Sequence, residues 1–370
     1  MNTTTHTPQR IGLLTGGGDC PGLNAVIRAV AKTAMDDYDA TVIGIEDGFE
    51  GLVEGRMREL TNREVSGILS LGGTILGTSN KGDPWHYPVE VAPGKIEIQD
   101  TSFKALHNIT QWGLNALVAV GGDGTMHIAD KFCGLGVKMV GVPKTIDNDL
   151  AATDVTFGFD TAVSVVCEAL DRLHTTASSH HRVMVIEVMG RYAGWIALTG
   201  GVSGGTDVIL LPEIPFTWEA VYRKVNERAT HGKRFSLVCV AEGAKLPGGA
   251  EVVKALDIKR TDAKQLGGIG NEVARQIEAG TGLETRVTVL GHLQRGGSPT
   301  AFDRVLATRL GVHAAHCACR GEFGVMAALR NNQIISVPIK EAIAQLRTVP
   351  PDHQLILAAR AVGTSFGDEV

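Results

Sequence analysis

The 370-residue chain is poor in aromatics, at 5%, and carries no excess of positive charge, its formal net charge being -5. That balance argues against a general nucleic-acid binder, although a local basic patch would still serve an anionic substrate. No apolar run approaches the ~20 residues needed to cross a bilayer. The first ten residues are polar and lack an apolar signal core, so the chain reads as cytoplasmic, with no membrane partner. The six cysteines are scattered. Only Cys317 and Cys319 stand close, and one C-x-C without a second pair is a weak case for zinc, so reduced and mostly buried thiols are expected. Internal repeats, low-complexity tracts and an obvious linker are also missing.

What the chain has instead is glycine, 46 residues without a collagen-like period, which reads as many tight turns between strands and helices. With 44% apolar residues a large core is available, and the length favours two domains. Val118 to Leu150 sets the pattern. An apolar run stops at G-G-D-G-T, a helical stretch follows, and a second apolar run (Val137 to Val142) stops at P-K-T-I-D-N-D-L. Further strands are expected at Ile11 to Leu14, Thr41 to Ile45, Val183 to Val188, Val208 to Leu211, Ser236 to Val240 and Thr285 to Leu290. Helices are expected at Asn24 to Met35, Thr101 to Trp112, Ala162 to Ala177 and Ala301 to Cys319, with a helix-like stretch at Leu355 to Val362. Pro84 to Pro93 reads as irregular and exposed. The repeated strand-then-helix order predicts an α/β fold of two doubly wound domains with mostly parallel sheets. In such sheets, ligands bind beyond the carboxyl ends of the strands.

The candidate chemistry sits at those ends. Gly121, Gly122 and Gly124 let a backbone approach a phosphate closely. Asp123 suits a Mg²⁺ ligand, the plainer alternative being a turn aspartate that caps the next helix. Asp147 and Asp149 flank Asn148. In an extended segment they point the same way, and two such carboxylates suit a general base, Asp147, supported by Asp149. Thr145 is placed to hold a phosphate or orient that base. T-G-G-G-D-C-P-G-L-N leads into the first helix, whose N-terminus is a natural anion site, yet it matches neither the dinucleotide fingerprint nor the Walker loop. Ser79, Asn80 and Lys81 end a second Gly- and Thr-rich loop and could reach a phosphate. Arg182, Arg191, Arg286 and Arg295 fall at or near strand ends with His292, and guanidinium forks suit phosphate monoesters. Glu242 follows a strand and suits hydrogen bonds from sugar hydroxyls. Together these residues point to phosphoryl transfer.

The strings T-G-G-G-D-C-P-G-L-N, G-G-D-G-T, P-K-T-I-D-N-D, S-H-H-R, V-M-G-R-Y-A-G-W, A-E-G-A and L-G-H-L-Q-R-G-G-S-P-T-A-F-D-R occur in the order seen in 6-phosphofructokinases. The resemblance runs roughly from Ile11 to Leu346. It implies transfer of a phosphoryl group to O1 of fructose 6-phosphate, with Mg²⁺ as cofactor. It implies a donor domain over about 10–158 plus 294–346, and a sugar-phosphate domain over about 159–293 plus 347–370. By resemblance Gly18 and Gly122, Asp123, Gly124 and Thr125 belong to the donor site, with Asn80 and Lys81 beside them, and Asp123 is the magnesium residue. Asp147 is the base. Thr145, Ile146, Arg182, Met189, Gly190, Arg191, Glu242, Arg286, His292, Leu293, Gln294 and Arg295 belong to the sugar-phosphate site. Arg182 and Arg286 would reach into a neighbouring subunit, implying a homodimer or homotetramer.

Two positions bear on the donor. ATP users resemble this chain at Gly124, where pyrophosphate users carry Asp, a side chain that would crowd and repel the nucleotide's α-phosphate. Lys144 is instead the residue of the pyrophosphate group. The combination resembles the mixed-substrate subgroup, and the steric argument favours ATP over the alternative, a reversible pyrophosphate-dependent enzyme. Asn80 replaces an arginine common in ATP users, with Lys81 as its substitute. Lipid and NAD kinases share G-G-D-G-T but not the other strings. A sugar-phosphate sensor without turnover is the non-enzymatic rival, and the presence of Asp123 and Asp147 speaks against it. Arg28, Lys32, Arg56, Arg172, Asp207 and Lys233 fall where bacterial members bind effectors, though Lys32, Asp207 and His231 replace other residue types.

Overall fold

The computed structural model describes residues 9–230, 235–256 and 264–369. In chain order the strands are β1 (Arg10–Thr15), β2 (Thr41–Ile45), β3 (Met57–Glu59), β4 (Tyr87–Ala92), β5 (Lys95–Gln99), β6 (Ala116–Gly121), β7 (Met139–Pro143), β8 (Val183–Val188), β9 (Val208–Leu210), β10 (Ser236–Ala241), β11 (Val253–Leu256), β12 (Lys264–Leu266), β13 (Thr285–Val289), β14 (Val325–Arg330) and β15 (Gln333–Pro338). The helices are α1 (Leu23–Tyr38), α2 (Phe49–Glu54), α3 (Ser102–Gln111), α4 (Asp123–Gly134), α5 (Phe159–His180), α6 (Trp195–Ser203), α7 (Trp218–Thr230), α8 (Ile269–Thr281), α9 (Ala301–Arg320), α10 (Ile339–Ala342) and α11 (Gln354–Ala361).

Two sheets carry the molecule. The larger has the order β15-β14-β7-β6-β1-β2-β3 and the smaller β13-β8-β10-β9. The smaller is parallel throughout. The larger is parallel from β14 to β2 and closes at each edge with an antiparallel strand, β15 and β3. The inner strands are nearly all apolar because helices cover both faces. Alternation then sorts side chains by face. Leu13, Val118, Val120, Val140 and Val142 pack with α1 and α9, whereas Leu14, Leu117, Ala119 and Met139 pack with α2 and α4. In the smaller sheet Val183, Val185, Val238 and Val240 meet α7 and α8, while Ile186, Val188 and Cys239 join the first core. Each fully buried Val or Leu contributes about 1.5–3 kcal/mol. The close seam of α1 on α9 needs Gly311, where a Cβ would stand 2.8 Å from Ala29 and 3.0 Å from the Val26 carbonyl oxygen.

Several expectations need correction. Pro84 to Pro93 is not irregular: it contains β4, which pairs antiparallel with β5. The alternation K-I-E-I-Q in β5 is a strand pattern, although the strand is exposed throughout. The helix expected over 162–177 runs from Phe159 through His180, and His181 ends it in the left-handed region at φ 57°. The β14–β15 hairpin, turning at Asn331 and Asn332, was not foreseen either.

Candidate active site

The carboxyl ends of β1, β6 and β7 open onto one cavity of about 470 Å³. Gly16, Gly17 and Gly18 form one wall, and Gly122, Asp123, Gly124 and Thr125 another. The backbones are locked together: Gly16 N–H donates to Val120 O at 2.9 Å, and Lys144 N–H donates to Gly121 O at 2.9 Å. Glycine is required at 121, where a Cβ would lie 2.2 Å from Thr125 Oγ1. The helix N-terminus that lines the cavity is that of α4, with its first orphan N–H groups. The cavity wall contains no residue of α1, and Gly22, its cap, lies beside the Phe157 ring.

Asp123 is the first residue of α4. Burial raises its carboxyl above the usual range, partly opposed by His127, whose Nδ1 lies 3.3 Å away. Among the described residues no group of three or more His, Cys, Asp or Glu side chains could hold a metal. A lone carboxylate beside a phosphate-sized loop fits the habit of Mg²⁺, which takes one or two carboxylates, substrate phosphates and water.

Lys144, Thr145, Asp147 and Asp149 form the cavity floor. The segment is a turn rather than the extended run that the D-N-D spacing suggests. Asn148 adopts φ 54°, which breaks strand alternation, yet both aspartates still line the cavity. The turn is held by Asp147 N–H donating to Thr145 Oγ1 at 3.0 Å, and by Thr156 N–H donating to Asn148 Oδ1 at 3.1 Å. Asp147 and Asp149 each keep one oxygen, Oδ1, away from solvent and without a hydrogen-bond partner. Desolvation raises both carboxyls. For Asp147, Arg295, Lys144 and Arg191 oppose the rise, whereas Asp149 is pushed further by the Asp147 charge, to about 7. Lys144 is buried and its Nζ donates to Gly18 O; burial lowers its ammonium to about 8. This arrangement can accept a proton beside a bound phosphate.

Arg191, Tyr192 and Arg295 close the cavity from the side of the smaller sheet. Beyond them a second cavity of about 390 Å³ is lined by Met189, Glu242, His292, Glu187 and Asn271. Burial raises Glu242 to about 7, helped by the charges of Asp147 and Glu187. Gly190 lies at the loop between these cavities, at φ 127°.

A profile of the phosphofructokinase family, described as "Phosphofructokinase", matches residues 10–318. The chain belongs to the phosphofructokinase family. It is 53% identical over 363 residues to a protein of Chloroflexus aggregans named ATP-dependent 6-phosphofructokinase, covering 98% of this chain and 99% of that one. It is 49% identical to a Clostridium perfringens protein named ATP-dependent 6-phosphofructokinase 2, covering 97% and 99%. Among solved structures, Pichia pastoris phosphofructokinase in the T-state superposes with a TM-score of 0.79 at 31% identity. That match covers 93% of this chain and 36% of the yeast chain.

The phosphofructokinase strings do not all converge on the cavities. Ile146 is fully buried in the apolar core. Gln294 is also fully buried; its Oε1 accepts from Met189 N–H at 3.3 Å and its Nε2 donates to Gly291 O at 3.2 Å, so it holds the loop after β8 in shape. Leu293 is 68% exposed and faces a separate apolar groove with Leu290 and Val165. Lys81 is exposed and outside the cavity that Asn80 lines. Arg182 and Arg286 line neither cavity; both pair with Glu284, Arg182 Nε at 2.8 Å.

Several of the positions where the resemblance places effector binding form ion pairs within the chain. Arg56 pairs with Asp47, Glu50 and Glu54, Lys32 with Asp36, Arg172 with Glu168, and Asp207 with Arg228 at 2.8 Å. His231 and Lys233 lie outside the described residues. All six cysteines are free. Cavity residues that sequence reasoning missed include Phe49, Asp83 and Leu346, which sit in none of the family strings, and Tyr192, which sits inside V-M-G-R-Y-A-G-W.

Proposed function

We propose that this chain transfers the γ-phosphoryl group of ATP to O1 of fructose 6-phosphate, giving fructose 1,6-bisphosphate. It is an ATP-dependent 6-phosphofructokinase, a kinase of glycolysis. The observation that carries the site reading is the single cavity that brings the Gly122–Thr125 loop, the Asp147–Asp149 pair and Arg191 together. A cytoplasmic location belongs to the same reading.

ATP phosphates lie against Gly16 to Gly18 and the start of α4. Asp123 would hold Mg²⁺, which would neutralise phosphate charge when bound. Fructose 6-phosphate reaches in from the Glu242 and His292 cavity, Glu242 meeting its ring hydroxyls. Asp147 takes the O1 proton as O1 attacks in line. Its uncompensated Oδ1 and raised pKa support that role. Asp149 supports the charge network, Thr145 fixes the Asp147 backbone, and Arg191 and Arg295 balance charge as it moves. Arg182 and Arg286, remote from this cavity, complete the 6-phosphate site of a neighbouring subunit, which calls for at least a dimer. The donor half rests on the larger sheet and the sugar half on the smaller.

Gly124 in the cavity wall supports ATP as donor. Initial rates with Mg²⁺ and fructose 6-phosphate, offered ATP or pyrophosphate separately, test this. Turnover is expected with ATP and not with pyrophosphate. Equal or faster pyrophosphate turnover would overturn the donor assignment, and Gly124→Asp is expected to abolish ATP use.

A further inference from the structure

The segment that follows α10 carries no motif, yet it ties the two halves of the site together. Leu346 forms an antiparallel bridge with Leu150 and lines the cavity. Next to it, Arg347 N–H donates to Asp149 O at 2.8 Å. Its guanidinium Nη1 donates to Asn148 O at 3.3 Å. Two consecutive carbonyls of the T-I-D-N-D turn are thus held by one residue, where Asn148 stands in the left-handed region at φ 54°. Such a conformation persists only where its surroundings hold it.

The other side of Arg347 belongs to the smaller sheet. Its guanidinium stacks over the Trp195 ring, 4.5 Å from the centroid, and Trp195 Nε1–H donates to Arg347 O at 2.8 Å. Trp195 begins α6, four residues after Arg191. Two residues further along the strap, Val349 N–H donates to Glu213 Oε1 at 2.9 Å, and that same oxygen accepts from Gly194 N–H at 2.9 Å. The strap therefore fixes the R-Y-A-G-W loop and the T-I-D-N-D turn against each other.

We infer that Arg347 is a positioning residue for phosphoryl transfer, holding the backbone of the Asp147 turn at a fixed distance from the Arg191 loop. It acts through main-chain carbonyls and a stacked ring and touches no reacting atom. A planar fork that donates to a carbonyl while stacking on a ring is a task for arginine that lysine performs poorly. The inference rests on Asp147 being the base.

The test is steady-state kinetics of the full-length enzyme with ATP and Mg²⁺, paired with calorimetric titration by fructose 6-phosphate alone. Arg347→Ala is expected to lower kcat about 100-fold while the binding stoichiometry stays at the wild-type value and the KM for ATP moves less than about twofold. Stoichiometry and kcat falling in parallel would mean lost folded sites and overturn the inference, as would a kcat within about threefold of wild type. If the alanine variant does not fold, Arg347→Lys decides: about a 10-fold lower kcat at full stoichiometry supports the role, and a wild-type kcat overturns it. Asp147→Asn is run beside them. If that variant keeps its rate, the base assignment itself fails and the positioning role falls with it. If it is inactive and Arg347→Ala is not, only the positioning role fails.

Discussion

The Lys144 ammonium donates to the Gly18 carbonyl oxygen, so the loop after β7 is tied through a buried cation to the loop after β1. The contact joins the two loops at the carboxyl edge of the larger sheet, and it keeps a charge where little water reaches it.

That burial has a pH signature. Lys144 is lowered to about 8 by desolvation, against about 10.4 in an unfolded chain. Below pH 8 the folded state must keep the ammonium charged at a cost. Between the two values the unfolded chain still holds the proton that the folded one has released, so stability rises with pH through that window. Urea unfolding at fixed protomer concentration should show the advantage of Lys144→Met over wild type shrinking by roughly 3 kcal/mol across it. A constant difference would sink the idea.

On the proposed mechanism the Asp147–Asp149 pair sets the acidic limb of activity. Both carboxyls are raised, Asp149 to about 7, and the ionised base is lost as pH falls. The kcat/KM profile should therefore decline at a pH above the ordinary carboxylate range. Asp149→Asn removes a neighbouring negative charge, so the limb should move to lower pH. Asp147→Asn should lose about 100-fold or more in kcat. An unchanged limb in Asp149→Asn would show that the pair does not control the rate.

Asn148 tests the turn itself. Its φ of 54° and its Oδ1 bond from Thr156 N–H are separable. Asn148→Gly keeps the conformation and loses the bond, whereas Asn148→Ala loses both. Thermal or urea unfolding should place the alanine variant about 1 kcal/mol below the glycine variant. Equal stability would mean that the left-handed turn is not retained.

Gly18 is a question of room. A Cβ there would stand 2.8 Å from Arg295 Nη1, the end of a flexible side chain that can move aside. Gly18→Ala should leave stability within about 0.5 kcal/mol of wild type yet lower kcat/KM, because the displaced guanidinium no longer faces the Asp147 cavity. A fall in stability with unchanged kcat/KM would reverse this reading.

Much of the site was legible because its pieces sit where strands end. G-G-D-G-T and P-K-T-I-D-N-D each follow an apolar run, and parallel strands deliver such ends to one rim. Asp123, Thr145, Asp147, Arg191 and Arg295 accordingly line one cavity. What alternation could not supply was the shape of the Asp147 turn, because a left-handed Asn148 leaves no periodic trace. Nor could it reveal that Gln294 and Ile146, inside the same strings as their neighbours, turn into the interior.

By itself the sequence determined the family, the α/β class and the glycine-rich loops at the strand ends, since those follow from local composition there. Only the tertiary structure decided that Arg182 and Arg286 stand apart from the Asp147 cavity, that Lys144 is buried against Gly18, and that Arg347 bridges to Asn148 and Trp195. These relations join residues as many as 199 positions apart in the chain. They depend on how two sheets and a C-terminal strap pack against one another, which no local pattern of residues encodes.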